Sequence, residues 1–164
     1  MQLSSPPSNF VKLAVKTASA SATIDFTSVI NSGYKHYLLS MSTVQPSVNT
    51  SIGVKFSSDN GATWVISLQS QKSTLTLGGA TAPTYAGVSA ATLAPITDTI
   101  TTQMSGWAFL NPIYCAWRSS AISGGANAAD TVIVSVTSLT CNAFQLVPAS
   151  GTINTGSFTL YGAN

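Results

Sequence analysis

From Phe10 onward, apolar and polar residues alternate at period two, and Gly, Pro, Asn or Asp repeatedly interrupts the alternation. Successive side chains of a strand point to opposite faces, so such runs read as half-buried strands bounded by turns. Phe10 to Val15, Ala22 to Phe26, Lys35 to Ser42, Ser51 to Phe56 and Thr63 to Leu68 are of this kind. So are Ser105 to Leu110, Ile113 to Trp117, Thr131 to Val136, Phe144 to Val147 and Ser157 to Tyr161. No stretch of ten or more residues sets a 3.6-residue apolar period between helix caps; Thr97 to Met104 comes nearest to a helical turn. The expected fold is all-β: about eight to ten short strands separated by turn residues are the signature of a sandwich or barrel.

Met1 to Asn9 is polar with Pro6-Pro7 and reads as an extended arm, leaving 10–164 as a single sandwich domain. Met1, Gln2, Leu3, Pro6, Pro7 and Phe10 are the residues expected to reach a neighbouring chain. Asp59-Asn60-Gly61 stands between two alternating runs, and Asn and Gly tolerate positive φ, so a hairpin is predicted there. The middle, 70–102, is rich in Thr, Ala and Gly and reads as short edge strands and loops, and Ser123 to Asn127 reads as a loop.

Charge is scarce. The 164 residues carry six Lys or Arg, four Asp and no Glu, whereas Ser and Thr together number 46. The six cations do not cluster into the basic stripe that a nucleic-acid binder needs. No apolar run is long enough for a membrane span, and MQLSSPPSNF lacks the regions of a signal peptide. With 45 % hydrophobic residues the chain has material for a core. Interface cores deplete charge in this way, which favours a building block over a free catalyst.

Acid–base chemistry has little to work with. His36 is the single histidine, within a strand, and reads as a hydrogen-bonded or interface residue. A nucleophilic triad would have to join it to Asp25, Asp59, Asp98 or Asp130, and no Gly-x-Ser-x-Gly elbow is present. Paired carboxylates would come from the same four residues, of which Asp59 already serves its turn. Asp59-Asn60-Gly61 lacks the further ligands of a calcium loop, and Gly78-Gly79 lacks the Lys of a phosphate loop. Cys115 and Cys141 match no metal spacing; they read as buried thiols, with a disulfide left open. No catalytic residue, metal or cofactor is expected. Trp64 and Trp107 read as core or subunit-interface residues, because each shares a strand face with other large apolar groups. Trp117, beside Arg118 at a strand end, is the foremost surface aromatic, with Tyr85 and Tyr34 as further ligand or interface candidates and Tyr114 as another platform aromatic.

Two segments carry a family likeness. Ala22-Thr23-Ile24-Asp25-Phe26-Thr27-Ser28, then Gly33-Tyr34-Lys35-His36-Tyr37, then Phe56 to Trp64 (FSSDNGATW), resembles the opening of small virion proteins of tailed bacteriophages. Phe144 to Gly162 resembles the closing LxPxSGxIxxGxFxLYG of such domains, and the middle of the chain resembles nothing comparable. The resemblance implies a jelly-roll-like antiparallel β-sandwich, usually trimeric, within a tail fibre, tail tip or capsid decoration, and it brings no catalytic residue. Many such domains end a long fibre chain, whereas this sequence enters its domain almost at Met1. That favours a stand-alone capsid decoration (cement) protein or small tail subunit, assembled in the host cytoplasm and resident in the virion. The expected partners are further copies in a homotrimer and other virion proteins such as the major capsid or tail proteins, with neither nucleic acid nor membrane insertion. The alternative is a receptor-binding tail module whose loops grip a host surface glycan.

Overall fold

The period-two pattern is realised as thirteen strands among the described residues. The computed structural model describes residues 9–31, 33–64, 68–76, 79–80, 84–88, 94–95, 103–113, 115–123, 127–135 and 140–164. Met1, Gln2, Leu3, Pro6, Pro7, Tyr114 and most of the Thr97 to Met104 segment lie outside these residues. The strands are β1 (Phe10–Ser21), β2 (Ile24–Phe26), β3 (His36–Pro46), β4 (Ile52–Ser57), β5 (Leu68–Thr76), β6 (Gly79–Ala80) and β7 (Thr84–Val88). They continue as β8 (Ala94–Pro95), β9 (Met104–Asn111), β10 (Ala116–Ser123), β11 (Asn127–Ser135), β12 (Ala143–Pro148) and β13 (Ile153–Ala163).

Two antiparallel sheets face each other. The larger runs β1-β13-β3-β9-β10-β11-β5-β6, with β7 also on β5; the smaller runs β2-β12-β4-β8. The first four strands alternate between the sheets, and the last two return between them. Thus β13 lies between β1 and β3, and β12 lies between β2 and β4. This wrapping is what the sequence leads one to expect of a jelly-roll-like sandwich.

The alternation decides which face is buried. On β3, Tyr37, Leu39, Met41 and Val44 point into the sandwich while His36, Ser40 and Ser42 point out. On the small sheet, Ile52, Val54, Phe56, Phe144 and Leu146 supply the facing layer. Phe26 stacks on Phe144 with ring centroids 4.7 Å apart, and Trp117 from the large sheet meets Phe144 at 5.4 Å and Phe56 at 6.0 Å. These aromatics bridge the two sheets and anchor the core.

Three local expectations are corrected. The turn at Asp59-Asn60-Gly61 does not close a hairpin: β4 pairs with β12 and β8, and β5 belongs to the other sheet beside β11. The chain does reverse there, with Asn60 at φ 59°, but it crosses between sheets. Ile113 to Trp117 is not one strand: Pro112, Ile113 and Cys115 lie in turns, and β10 begins at Ala116. Phe10 to Val15 is only half of a twelve-residue strand that continues through Lys16 to Ser21. Its ladder with β13 holds it in place despite weak intrinsic strand propensity.

The 58–62 turn is a clamp. The Ser57 hydroxyl donates to Asp59 Oδ1 at 2.5 Å, and the Thr63 hydroxyl and amide donate to the same carboxylate at 2.6 and 2.9 Å. Asn60 accepts from the Ser28 amide at 2.6 Å and donates its own amide to Asn142 Oδ1 at 2.7 Å. The Ser57 bond first, then those from Thr63, hold the Asp59 carboxyl down at about 2. A group whose pKa is lower when folded supports the fold in its ionised form, so the contribution is present above the ordinary aspartate range, near pH 4. It is lost as pH falls through about 2. The Thr63 amide resonance should therefore titrate with its midpoint near pH 2, and Asp59→Asn should abolish that step. A midpoint near pH 4 would contradict the clamp.

Candidate functional site

Two places on the molecule gather chemistry. The first is the outer face of the large sheet, turned away from the small one. Register places Lys12, Tyr161, Leu38, Phe109 and Arg118 in one row across β1, β13, β3, β9 and β10. Val15, Thr159, Ser40, Trp107 and Ser120 form the next row. Trp107 and Phe109 keep 38 % and 42 % of their surface in solvent and meet edge to face, centroids 5.2 Å apart. Ile122, opposite Ser105 on the same face, is 62 % exposed. A shallow pit of about 190 Å³ lies beside Phe109, bordered by His36, Asn111, Ala116 and Arg118. The charged residues that register places on this face include the cations Lys12 and Arg118 and, opposite Ser120 on β11, Asp130.

The second place is the loop end, where Ile30, Asn31, Tyr34 and Lys35 meet Pro112, Ile113 and the 140–142 segment. They enclose a cavity of about 340 Å³ lined by Ile30, Tyr34, Pro112, Ile113 and Cys141, with Asn31, Lys35, Thr140 and Asn142 as polar members. Tyr34 fits there because residue 162 is glycine: a Cβ at Gly162 would lie 2.5 Å from the Tyr34 ring. Tyr37 fixes Asn31, ahead of β3, by donating its hydroxyl to the Asn31 carbonyl at 2.7 Å and accepting the Asn31 amide at 2.8 Å. Burial pushes the Tyr37 phenol above its usual range, so the hydroxyl stays a donor.

The aromatic candidates are redistributed. Trp117, read from sequence as a surface group, is 1 % exposed and belongs to the core, since it pairs with Leu110 on the inward face. Trp107, read as core or interface, is on the outer face instead of in the core. Tyr34 is half-buried and lines the loop-end cavity. Tyr85 lies on β7, and its side chain is outside the described residues, as is Tyr114. Phe10 is exposed at the start of β1, paired with Ala163. His36 stands exposed at the start of β3 beside the pit. Asp25 instead accepts from Gln145 Nε2 at 2.9 Å in the small sheet, and Asp59 is spent in its clamp. Neither carboxylate borders the pit that holds His36. Sequence reasoning missed Phe109 and Ile122 as surface residues; the signal available was that β9 carries large apolar groups at both parities.

No protein-family model and no curated protein sequence matches this chain. Among solved structures it is similar to a legume lectin-like domain from Entamoeba histolytica, at TM-score 0.35 and 9 % identity, covering 95 % of this chain and 84 % of that one. A functionally unknown protein from Saccharomyces cerevisiae follows at TM-score 0.28 and 10 % identity, covering 93 % and 83 %. The infectious bursal disease virus Gt strain structure gives 0.21 and 11 %, covering 91 % of this chain and 36 % of that one. At these scores the likenesses carry no argument about what the chain does.

Proposed function

We propose that this protein is a non-enzymatic structural subunit of a tailed-phage virion, a capsid decoration or small tail protein that works by contact with copies of itself and with neighbouring virion proteins. The observation that carries the reading is the outer face, where Trp107, Phe109 and Ile122 stand exposed on a rigid sheet among hydroxyls. Exposed aromatics grouped in a face that is poor in charge are what an interface core requires. The resemblance of both chain ends to phage virion domains supplies the setting, and the scarcity of acids over the whole sequence agrees with a surface meant to be covered.

The test is self-association of the purified full chain, measured by sedimentation or light scattering. The chain is expected to form a discrete oligomer, a trimer on the family likeness. Trp107→Ser with Phe109→Ser should weaken that association at least tenfold, as loss of central anchors does, while the melting temperature of the protomer stays put. A wild-type chain that remains monomeric at high concentration counts against the reading.

One observation favours the receptor-binding alternative. Phe109 borders a pit together with Asn111, His36 and Arg118 and packs edge to face with the exposed Trp107 indole, a surface on which a sugar ring can stack and be hydrogen-bonded. A glycan array separates the two. A binding signal abolished by Trp107→Ser, from a chain whose oligomer is unaffected, selects the glycan reading.

A further inference from the structure

We propose that Cys115 and Cys141 are an oxidisable dithiol, a modification site that closes to an intramolecular disulfide in the folded sandwich. Both cysteines are thiols in the structure and both are buried. They come from separate segments, the turn before β10 and the approach to β12, which a single acceptor draws together. The Pro112 carbonyl oxygen takes the Cys141 amide at 2.8 Å and the Cys115 amide at 3.5 Å. Two nitrogens on one oxygen lie within roughly 6 Å of each other, and disulfide-bonded cysteines hold their Cα atoms about 4.4–6.8 Å apart. The shared acceptor therefore brings the two backbones into one neighbourhood, close to the separation that a disulfide spans.

The side chains agree. The two thiols hydrogen-bond to each other, which holds the Cys115 pKa down and pushes that of Cys141 up. Cys115 also sits at φ 41°, a left-handed conformation that a residue with a Cβ rarely adopts, so the surrounding structure fixes it there. Access comes from the loop-end cavity, which Cys141 lines together with Tyr34, Pro112 and Ile113. Its volume of about 340 Å³ admits a small oxidant to Cys141, which bulk solvent scarcely touches.

With hydrogen peroxide as oxidant the chemistry closes. One sulfur attacks a peroxide oxygen, the O–O bond breaks, and a sulfenic acid and a water result. The second sulfur then attacks the sulfenic sulfur, and the hydroxyl leaves with the second thiol's proton as another water. In sum, two thiols lose two protons and two electrons, one S–S bond forms, and the peroxide becomes two waters. A resolving thiol in contact outcompetes further oxidation. The inference stands apart from the assembly reading, since the outer face takes no part in it. If the protein passes from a reducing cytosol to an oxidising exterior, the bond would form after folding.

The experiment treats the folded, reduced full chain with a small excess of peroxide. Expected are loss of both thiols in step, an intact mass lower by two hydrogens and a Cys115–Cys141 cross-linked peptide. The melting temperature should rise by about 5–10 °C, as a cross-link over a loop of this length implies, and reductant should reverse it. The double variant Cys115→Ser with Cys141→Ser should show no such rise. Sulfinic or sulfonic products in place of the cross-link would overturn the proposal, and so would a cross-link that forms only in denaturant. Loss of one thiol without the other, or a rise that persists in the double variant, would overturn it equally.

Discussion

Replacing Trp117 by alanine is expected to destabilise the protein by about 3–5 kcal/mol, as truncation of a fully buried large aromatic does. Trp117 is the largest of the fully buried side chains and sits on β10, opposite Leu110 and facing the small sheet. Its ring meets Phe56 and Phe144, residues of β4 and β12, so it joins three strands across the interior. Alanine would remove that bridge and leave a void whose walls belong to rigid sheets that cannot collapse into it. Among the described residues the indole N–H has no hydrogen-bond partner, so the residue contributes volume and ring contacts. Trp117→Phe should therefore cost much less, about 1–2 kcal/mol, since it keeps an aromatic face and removes an orphaned donor. Urea denaturation with an unchanged slope and a lowered midpoint is the readout. A loss under about 1 kcal/mol for the alanine variant would mean that Trp117 does not bridge the sheets.

That residue also shows where sequence reading reaches its limit. Period two was legible, and with it the all-β sandwich, because one face of each strand must be apolar to build a core. Which parity faces inward was not legible on β9. Met104, Ala108 and Leu110 face in, while Trp107 and Phe109 face out, and the outward pair is the bulkier. A volume argument then assigns the wrong face. Trp117 was misread for a second reason: β10 starts at Ala116, after the turn residues Pro112, Ile113 and Cys115, so Trp117 is its second residue and not the end of a preceding strand.

Turns show the same division between local and global information. Asp59-Asn60-Gly61 announced a reversal, and the reversal is there. Turn chemistry fixes the local backbone but not the sheet that the chain enters next. That depends on β12, some 80 residues on, whose ladder claims β4, and on Asn142, which receives the Asn60 amide. The loop-end cavity was hidden for a like reason. Tyr34 was legible as a candidate, but its neighbours Pro112, Ile113 and Cys141 come from two distant segments that only the sandwich topology unites.

Gly106→Val should destabilise the fold by roughly 3 kcal/mol or more, at the upper end of what overpacking costs. Gly106 lies in the middle of β9, between Met41 on β3 and Ala121 on β10. A Cβ there would fall on the Ser120 carbonyl oxygen and come within 2.9 Å of the Ala121 Cα. Both are backbone atoms of the adjoining strand, so no rotamer change relieves the clash and β10 itself must move. The damage should reach the outer face, because Trp107 is the next residue and Ser120 is its ladder partner. Gly106→Ala, with the same Cβ but nothing beyond it, should lose less stability while still disturbing Trp107. Two measurements check this together: the urea midpoint, and, in a Trp64→Phe background, quenching of indole fluorescence by a soluble quencher that reaches Trp107 but not the buried Trp117. A valine variant as stable as the parent, with unaltered quenching, would show that β9 and β10 do not approach this closely, and the geometry assigned to the aromatic face would fall with it.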